Sequence, residues 1–217
     1  MALAIFDLDN TLLGGDSDYL WGEYLVETER VNSVDYQRMN QHFYDQYLAG
    51  TMDIFEFSAF QFKPLADNSM ATLVQWRDDY LAKKIDSIIF PAALALIEKH
   101  RLQDDTLLII TATNSFITSP IASKLAIPNL IATEPEVIDG QFTGKVSGTP
   151  SYQQGKVTRL QTWLTDNKQS LAGSYFYSDS HNDVPLLELV DQPIAVDPDP
   201  KLRAIAQQRH WPILSLR

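Results

Sequence analysis

Apolar residues follow two different patterns along the chain, and each pattern predicts a different kind of structure. Residues 3–6 (LAIF) form a short, wholly apolar run, which is typical of a strand buried on both faces of a sheet. Between residues 16 and 89, apolar and aromatic residues recur at helical spacing in four stretches, without a convincing strand among them. We therefore expect a helical segment inserted after the first strand.

From residue 90 onward, strand-like runs alternate with helical stretches. TLLIIT, NLIAT, SYFYSD and PIAVDP are predicted strands, and EVIDGQFTGKVSG is typical of a hairpin with its turn at Asp139-Gly140. This alternation implies βαβ units and a mostly parallel sheet. The predicted fold class is α/β: a Rossmann-like three-layer core formed by residues 1–14 and 90–217, with a helical cap formed by residues 15–89.

Composition narrows the classes of function. The 217 residues are 45% apolar, which is enough for a sizeable core, and the net charge of -11 argues against binding to a nucleic acid backbone or an anionic membrane. There are no cysteines, which excludes disulfides, zinc–thiolate sites and thiol nucleophiles and fits a cytoplasmic protein. We see no signal peptide pattern and no apolar run of about 20 residues that would span a bilayer.

Polar residues follow the predicted strands in a consistent way. Asp7 and Asp9 come after the first strand, and SYFYS ends at Asp179. The run LLII ends at Thr111, which is followed by Ala112, Thr113 and Asn114. Because the carboxyl ends of parallel strands lie at one edge of a sheet, we expect these residues to lie close together. Further polar residues can reach the same edge: Asn182 and Asp183 just beyond SYFYSD, and Lys156 at the start of the preceding helix.

This set of side chains suits a hard divalent cation and a phosphoryl group. Carboxylate and carbonyl oxygens are typical Mg²⁺ ligands, and a bound cation would offset the repulsion between Asp7 and Asp9. A hydroxyl and an ammonium can hold phosphoryl oxygens. One carboxylate can then attack phosphorus while another handles protons.

These motifs resemble the haloacid dehalogenase-like (HAD) phosphatases. DLDNT resembles the first motif of that family, LLIIT the second, Lys156 the third and YSDSHNDVPLL the fourth, in the right order over residues 3–187. The helical insertion is similar to the C1-type cap of the subfamily that contains phosphoserine phosphatases (subfamily IB). The opening FDLDNTLLGGDSDYLWGEYL is similar to bacterial histidinol-phosphate phosphatases of that subfamily.

The resemblance implies a role for each matching residue. Asp7 would be the nucleophile that forms an aspartyl-phosphate, and Asp9 would protonate the leaving alcohol and then activate water. Asp7, Asp179 and the backbone carbonyl of Asp9 would ligate Mg²⁺. The phosphate-binding residues would be Thr111, Ala112, Lys156 and Asn182, and Asp183 would hold the metal's waters or orient Lys156.

Asp16 lies nine residues after Asp7, where the phosphoserine members of the family carry a glutamate that faces the substrate. It is equally typical of the N-cap of the first cap helix, so both roles stay open. The shorter side chain argues against serine phosphate as the substrate. A substrate with an ammonium near its phosphate would explain an acidic residue here. Histidinol phosphate and phosphoserine both have one. The imidazole of histidinol phosphate, on which cap aromatics could stack, and the resemblance of the opening make histidinol phosphate the preferred substrate. Phosphoserine or another small phosphorylated metabolite is the alternative.

Three further questions stay open. A receiver-like module that accepts a phosphoryl group without turnover also uses acidic residues, Thr and Lys at strand ends, and a phosphomutase shares the motifs. The aromatics of the cap, Tyr19 and Tyr44 among them, are more typical of a core than of a substrate cage, and His181 is predicted to be a loop residue. The oligomeric state is not predicted.

Overall fold

The computed structural model describes residues 2–217, and it has the predicted α/β architecture. Its main sheet has six strands, all parallel, in the order β3-β2-β1-β6-β7-β8. The strands are β1 (Leu3–Phe6), β2 (Thr106–Asn114), β3 (Asn129–Thr133), β6 (Tyr175–Ser178), β7 (Gln192–Val196) and β8 (Ile213–Leu214). The last strand is an element that the sequence pattern did not predict.

Helices cover the sheet and form the insertion. In the insertion lie α1 (Ser17–Glu27), α2 (Ser33–Ala49), α3 (Ile54–Ala66) and α4 (Met70–Tyr80), so the four predicted helices are present. The helices that follow are α5 (Pro91–Arg101), α6 (Ser115–Lys124), α7 (Gln154–Asn167), α8 (Val184–Leu187) and α9 (Pro200–Gln208). No helix in the described residues is long and apolar enough to cross a membrane.

Strand β1 shows how the sequence pattern becomes a layered core. Its four residues are all buried, and they alternate between the two faces of the sheet. Ala4 and Phe6 pack in one apolar cluster with residues of the helical insertion, whereas Leu3 and Ile5 pack in another with α7, α8 and α9. A parallel sheet that is covered on both faces requires such continuous apolar strands.

The chain enters and leaves the helical insertion through two adjacent segments. Leu13 and Ile89 form an antiparallel bridge, and the N–H of Gly14 donates a 2.7 Å hydrogen bond to the carbonyl of Ile88. This pairing ties the two ends of the insertion together beside the sheet. The division into a core and a cap of residues 15–89 stays our proposal.

The predicted hairpin is present as β4 (Pro135–Ile138) and β5 (Gln141–Val146). Its turn residues Asp139 and Gly140 have φ angles of 51° and 77°, as a two-residue hairpin turn of the mirror-image type requires. The second predicted strand was too short: β2 continues past Thr111 to Asn114, which then caps α6 by accepting from the N–H of Ile117. Thr111 therefore lies within the strand rather than at its end.

Candidate active site

Chain topology places the acidic residues at the edge where strand order reverses. From β1 the chain adds β2 and β3 on one side of the sheet and then β6, β7 and β8 on the other. Asp7 follows β1 directly and Asp179 follows β6, the neighbouring strand, with the N–H of Asp7 donating to the carbonyl of Tyr177 at 2.9 Å. Such a switch point, at the carboxyl ends of the strands, is where ligands bind in open α/β sheets.

Lys156 lies at the centre of the buried charges. Its Nζ donates to Asp7 Oδ1 at 2.7 Å and to Asp183 at 2.8–2.9 Å, and all three side chains are at most 5% exposed. The hydroxyl of Ser178 donates a further 2.7 Å bond to Asp183 Oδ2. Burial alone would lower the pKa of Lys156, but the carboxylates of Asp183 and Asp7 raise it above its ordinary value. Lys156 thus stays an ammonium in contact with Asp7.

Asp7 and Asp179, the carboxyl groups that follow β1 and β6, are both buried, which disfavours their charged forms. Burial raises the pKa of Asp7 to about 8, although Lys156 lowers it, and the carboxylates of Asp183 and Asp9 add to the rise. The pKa of Asp179 is also well above its ordinary value, first through burial and then through Asp7 and Asp183. A cation at this edge would favour both carboxylates, so the charge pattern fits the expected metal.

Thr11, the last residue of DLDNT, connects the first and fourth motifs. Its hydroxyl donates to Asp179 Oδ1 at 3.2 Å and accepts from the N–H of Asp179 at 3.0 Å. The predicted metal ligands are two side-chain carboxylates and the backbone carbonyl of Asp9. Within residues 2–217, no three His, Cys, Asp or Glu side chains form a metal-binding group, so binding would depend on that carbonyl and on water.

Asp9 is held by three donors. Its Oδ2 accepts from the hydroxyls of Thr111 at 3.2 Å and Thr113 at 2.8 Å, and its Oδ1 accepts from the N–H of Ser17 at 2.7 Å. Its side chain therefore points away from Lys156 and towards α1, which gives the two carboxylates of DLDNT different surroundings. The sequence pattern places Thr113 at this edge but assigns it no role, although its position two residues after Thr111 on an extended strand puts both hydroxyls on one face.

A pocket opens between these residues and the helical insertion. Its volume is about 490 Å³, part of which is open to solvent. Its polar wall comes from the strand ends and the start of α1, and its other wall comes from α2 and α3. The lining residues are Asp7, Asp9, Asp16, Asp18, Tyr19, Asn40, Phe43, Tyr44, Tyr47, Met52, Phe57, Thr111, Ala112 and Thr113.

The two roles considered for Asp16 are compatible. Asp16 is the N-cap of α1, because its Oδ1 accepts from the N–H of Tyr19 at 2.9 Å, and it also lines the pocket. Burial, with a further contribution from Asp9, raises its pKa to about 7. Asp18 is a further carboxylate of the same pocket and is buried, and the amide of Asn114 donates to it at 3.1 Å. The DSD spacing was the signal that could have found it.

The structure separates the remaining predicted residues. Ala112 lines the pocket, as a phosphate-binding position requires. The amide of Asn182 instead donates to the carbonyl of Tyr47 at 3.0 Å, across to the insertion, and its oxygen accepts from Tyr152 and Gln153. Its contact with phosphate stays a prediction. His181 was predicted to be a loop residue, but it begins a short 3-10 turn, His181–Asp183, and its ring nitrogen Nδ1 lies 2.8 Å from Asp199 Oδ2.

The aromatic residues of the insertion divide between two roles. Trp21 and Tyr24 are buried in the main apolar cluster, as expected for a core. Tyr19 and Tyr44 line the pocket with ring centroids 4.9 Å apart, and Phe43 and Tyr47 line it too. The expected core role therefore fits Trp21 and Tyr24, while α1 and α2 each also turn one aromatic face towards the pocket.

Comparison with known proteins decides the family. The model of the haloacid dehalogenase-like hydrolases matches residues 4–188. The chain belongs to this family. The resemblance predicted from the four motifs is thereby confirmed, and they all lie within the matched region.

Relatives of the HAD family extend the match to the whole chain. A histidinol-phosphatase of Neisseria meningitidis serogroup C (strain 8013) is 41% identical over 219 residues, covering 99% of both proteins. The crystal structure of a protein of unknown function from Bordetella pertussis Tohama I has a TM-score of 0.94 and 41% identity, covering 100% of this chain and 99% of that one. A substrate-bound phosphoserine phosphatase shares the fold, with a TM-score of 0.71 and 16% identity over 94% of this chain and 89% of that one.

Proposed function

We propose that this HAD hydrolase is a Mg²⁺-dependent phosphomonoesterase that acts through an aspartyl-phosphate on Asp7. The observation that carries the proposal is the contact of Asp7 with Lys156 beside a pocket that also holds Asp9. Phosphoryl transfer through a covalent intermediate requires a nucleophile, a fixed ammonium and a separately held proton carrier.

Each residue has a distinct task in the proposed reaction. An oxygen of Asp7 attacks phosphorus, and Asp9 gives a proton to the leaving oxygen. Asp9 then takes a proton from the water that attacks the aspartyl-phosphate, which releases inorganic phosphate and restores Asp7. The ammonium of Lys156, held by Asp7 and Asp183, stabilises charge on the phosphoryl oxygens.

The donor set supports Mg²⁺ as the cofactor. Asp7, Asp179 and the backbone carbonyl of Asp9 would hold the ion through hard oxygen atoms, with water completing its coordination. When bound, Mg²⁺ supplies positive charge that favours ionised carboxylates and offsets the charge of the phosphate. Thr11 holds Asp179 in place through both of its hydrogen bonds.

We further propose that the substrate is a small phosphorylated metabolite with a positively charged group, with histidinol phosphate preferred. Asp16 and Asp18 bring two carboxylates into the pocket, while Lys156 is committed to Asp7 and Asp183. An ammonium on the substrate would balance this charge, and an imidazole could stack on the aromatic wall that includes Tyr19 and Tyr44. The full-length relative that is a histidinol-phosphatase supports the same choice.

A screen for phosphate release over phosphorylated metabolites with Mg²⁺, ranked by kcat/KM, tests the proposal. Histidinol phosphate should rank above phosphoserine, and Asp7→Asn should release no phosphate above background. Steady turnover distinguishes a phosphatase from a phospho-accepting module, which would stop after one equivalent. Transfer of the phosphoryl group to a second position of the substrate, without release of phosphate, would indicate a phosphomutase.

A further inference from the structure

The end of α2 is fastened to the core by a side chain of α9 and by one from the segment that follows β6. Lys201, on the first turn of α9, donates from Nζ to the carbonyl of Ala49 at 2.7 Å. Asn182 donates to the carbonyl of Tyr47 at 3.0 Å. Both bonds join carbonyls in the last turn of a 17-residue helix to side chains of the core. The last carbonyls of a helix have no partner within it, and a cation there is favoured by the helix dipole.

Gly50 allows the core to approach this helix end closely. It ends α2 in the left-handed conformation, with φ of 76°, and a Cβ at this position would lie 2.7 Å from Nε2 of His181. The ring of His181 cannot easily move aside, because Asp199 accepts from its backbone N–H at 2.7 Å and lies 2.8 Å from Nδ1. Lys201 Nζ is 3.3 Å from the same Nε2. Glycine is therefore required here both by backbone conformation and by space.

The fastened helix end carries part of the pocket wall. Tyr47, whose carbonyl is bound by Asn182, lines the pocket beside Asp7 and packs against Tyr152 of the core with ring centroids 6.2 Å apart. Phe43, one turn earlier, lines the pocket as well and belongs to a small apolar cluster with Met52 and Tyr152. Release of the helix end would therefore move the wall of the pocket that Phe43 and Tyr47 form.

We infer that Lys201, with Gly50, holds the end of α2 against the core and so keeps the pocket wall formed by Phe43 and Tyr47 in place beside the substrate. We call this set of contacts the α2 latch: Lys201–Ala49, Asn182–Tyr47 and His181–Gly50. Lys201 is a positioning residue, because it acts through α2 and does not reach the pocket. The inference rests on the proposed phosphatase function for its kinetic effect, but its structural part can be measured without any substrate.

A pair of glycine variants tests the latch. Gly50→Ala introduces both backbone strain and the contact with His181, whereas Gly140→Ala introduces comparable strain at φ of 77° with nothing within 4 Å of the new Cβ. Gly50→Ala should lose more thermal stability than Gly140→Ala, because it adds the close contact with His181 to the backbone strain that both share. In Gly50→Ala, but not in Gly140→Ala, the backbone amides of residues 47–51 should exchange with deuterium about threefold faster than in the wild type. The kcat/KM of Gly50→Ala for the preferred metabolite should also fall about tenfold.

Lys201→Met tests the latch without backbone strain. It keeps most of the side-chain stem and removes the cation, so faster exchange at residues 47–51 and a rise in KM of about three- to tenfold are expected, with unchanged thermal stability. Lys63→Met is the matched control, because Lys63 also lies on a helix but pairs only with nearby Asp67 on the surface. Unchanged exchange in both Gly50→Ala and Lys201→Met would overturn the latch. If both variants exchange faster but the wild-type protein has no phosphatase activity, the proposed function is overturned and the latch is retained.

Discussion

The backbone N–H of Ser17, the first residue of α1, donates a 2.7 Å hydrogen bond to Oδ1 of Asp9. One carboxylate of the DLDNT motif is thus held by the insertion, whereas the other, Asp7, is held by the core through Lys156. Two acids separated by one residue therefore have separate environments, which lets one act as a nucleophile and the other as a proton carrier.

Replacement of Asp9 by Asn should separate the two halves of the reaction. The amide fits the same space but cannot carry a proton, so steady-state hydrolysis should fall about 10²- to 10⁴-fold. p-Nitrophenyl phosphate should still react once, because its leaving group departs without protonation. We expect a burst of one equivalent of p-nitrophenol and a phosphorylated Asp7 in the mass spectrum. Absence of the burst, in a folded variant, would contradict the roles given to Asp7 and Asp9.

Replacement of Asp16 by Asn should affect substrate selection more than chemistry. Asn caps a helix as well as Asp does, so α1 should be retained, while the charge facing the substrate is lost. KM for an amino-phosphate should rise about 10- to 100-fold, whereas KM for p-nitrophenyl phosphate should change little. Asp35→Asn, at an exposed carboxylate of α2, is the control. Equal effects of Asp16→Asn on both substrates would remove Asp16 from the substrate pocket.

Removal of the metal should be visible in stability as well as in activity. EDTA should stop turnover, and added Mg²⁺ should restore it. At 100 times its dissociation constant, Mg²⁺ should add about 2.7 kcal/mol to the free energy of unfolding. For a chain of this size the corresponding rise in Tm is about 5–10 °C. Asp179→Asn should reduce this rise in Tm. A wild-type Tm that does not change when Mg²⁺ is added would refute the proposed metal site.

A buried network away from the pocket should make folding sensitive to acid. His100 lies 2.9 Å from Asp105 Oδ2 through Nδ1 and 2.8 Å from the hydroxyl of Tyr177 through Nε2, and Oδ1 of Asp105 accepts from the N–H of Ala2. Burial would raise the pKa of Asp105, but the hydrogen bonds from His100 and Ala2 lower it below its ordinary value. The ionised carboxylate therefore stabilises the fold above pH about 4, and this contribution is lost as the pH falls through the lowered pKa.

Asp105→Asn tests that network. At pH 7 the variant should lose about 1–3 kcal/mol of the free energy of unfolding, measured with urea, because His100 keeps a weaker partner. The difference from the wild type should shrink below pH 4, where Asp105 takes up a proton. Asp104→Asn, at the exposed neighbouring position, is the control and should have little effect. If Asp105→Asn loses the same free energy of unfolding below pH 4 as at pH 7, the charge of Asp105 is not responsible.

The order of elements and the identity of the charged residues could be predicted from the sequence because both depend on local properties. An apolar run such as residues 3–6 cannot be exposed, and alternation of strands with helices admits few topologies. Asp7, Asp9, Thr111 and Lys156 were therefore placed at one edge of the sheet before any contact was known, and the structure brings them together.

Other features depend on contacts between distant parts of the chain, which no local pattern contains. The bond from Asn182 to the carbonyl of Tyr47 exists because α2 folds back over the core, and nothing in the local sequence predicts it. Local spacing singles out Asp18 and Thr113, but they face the same pocket because α1 packs beside β2. The chain by itself determined which chemical groups are available and on which elements they lie. The tertiary structure decided how they pair, since burial and long-range hydrogen bonds depend on which surfaces meet.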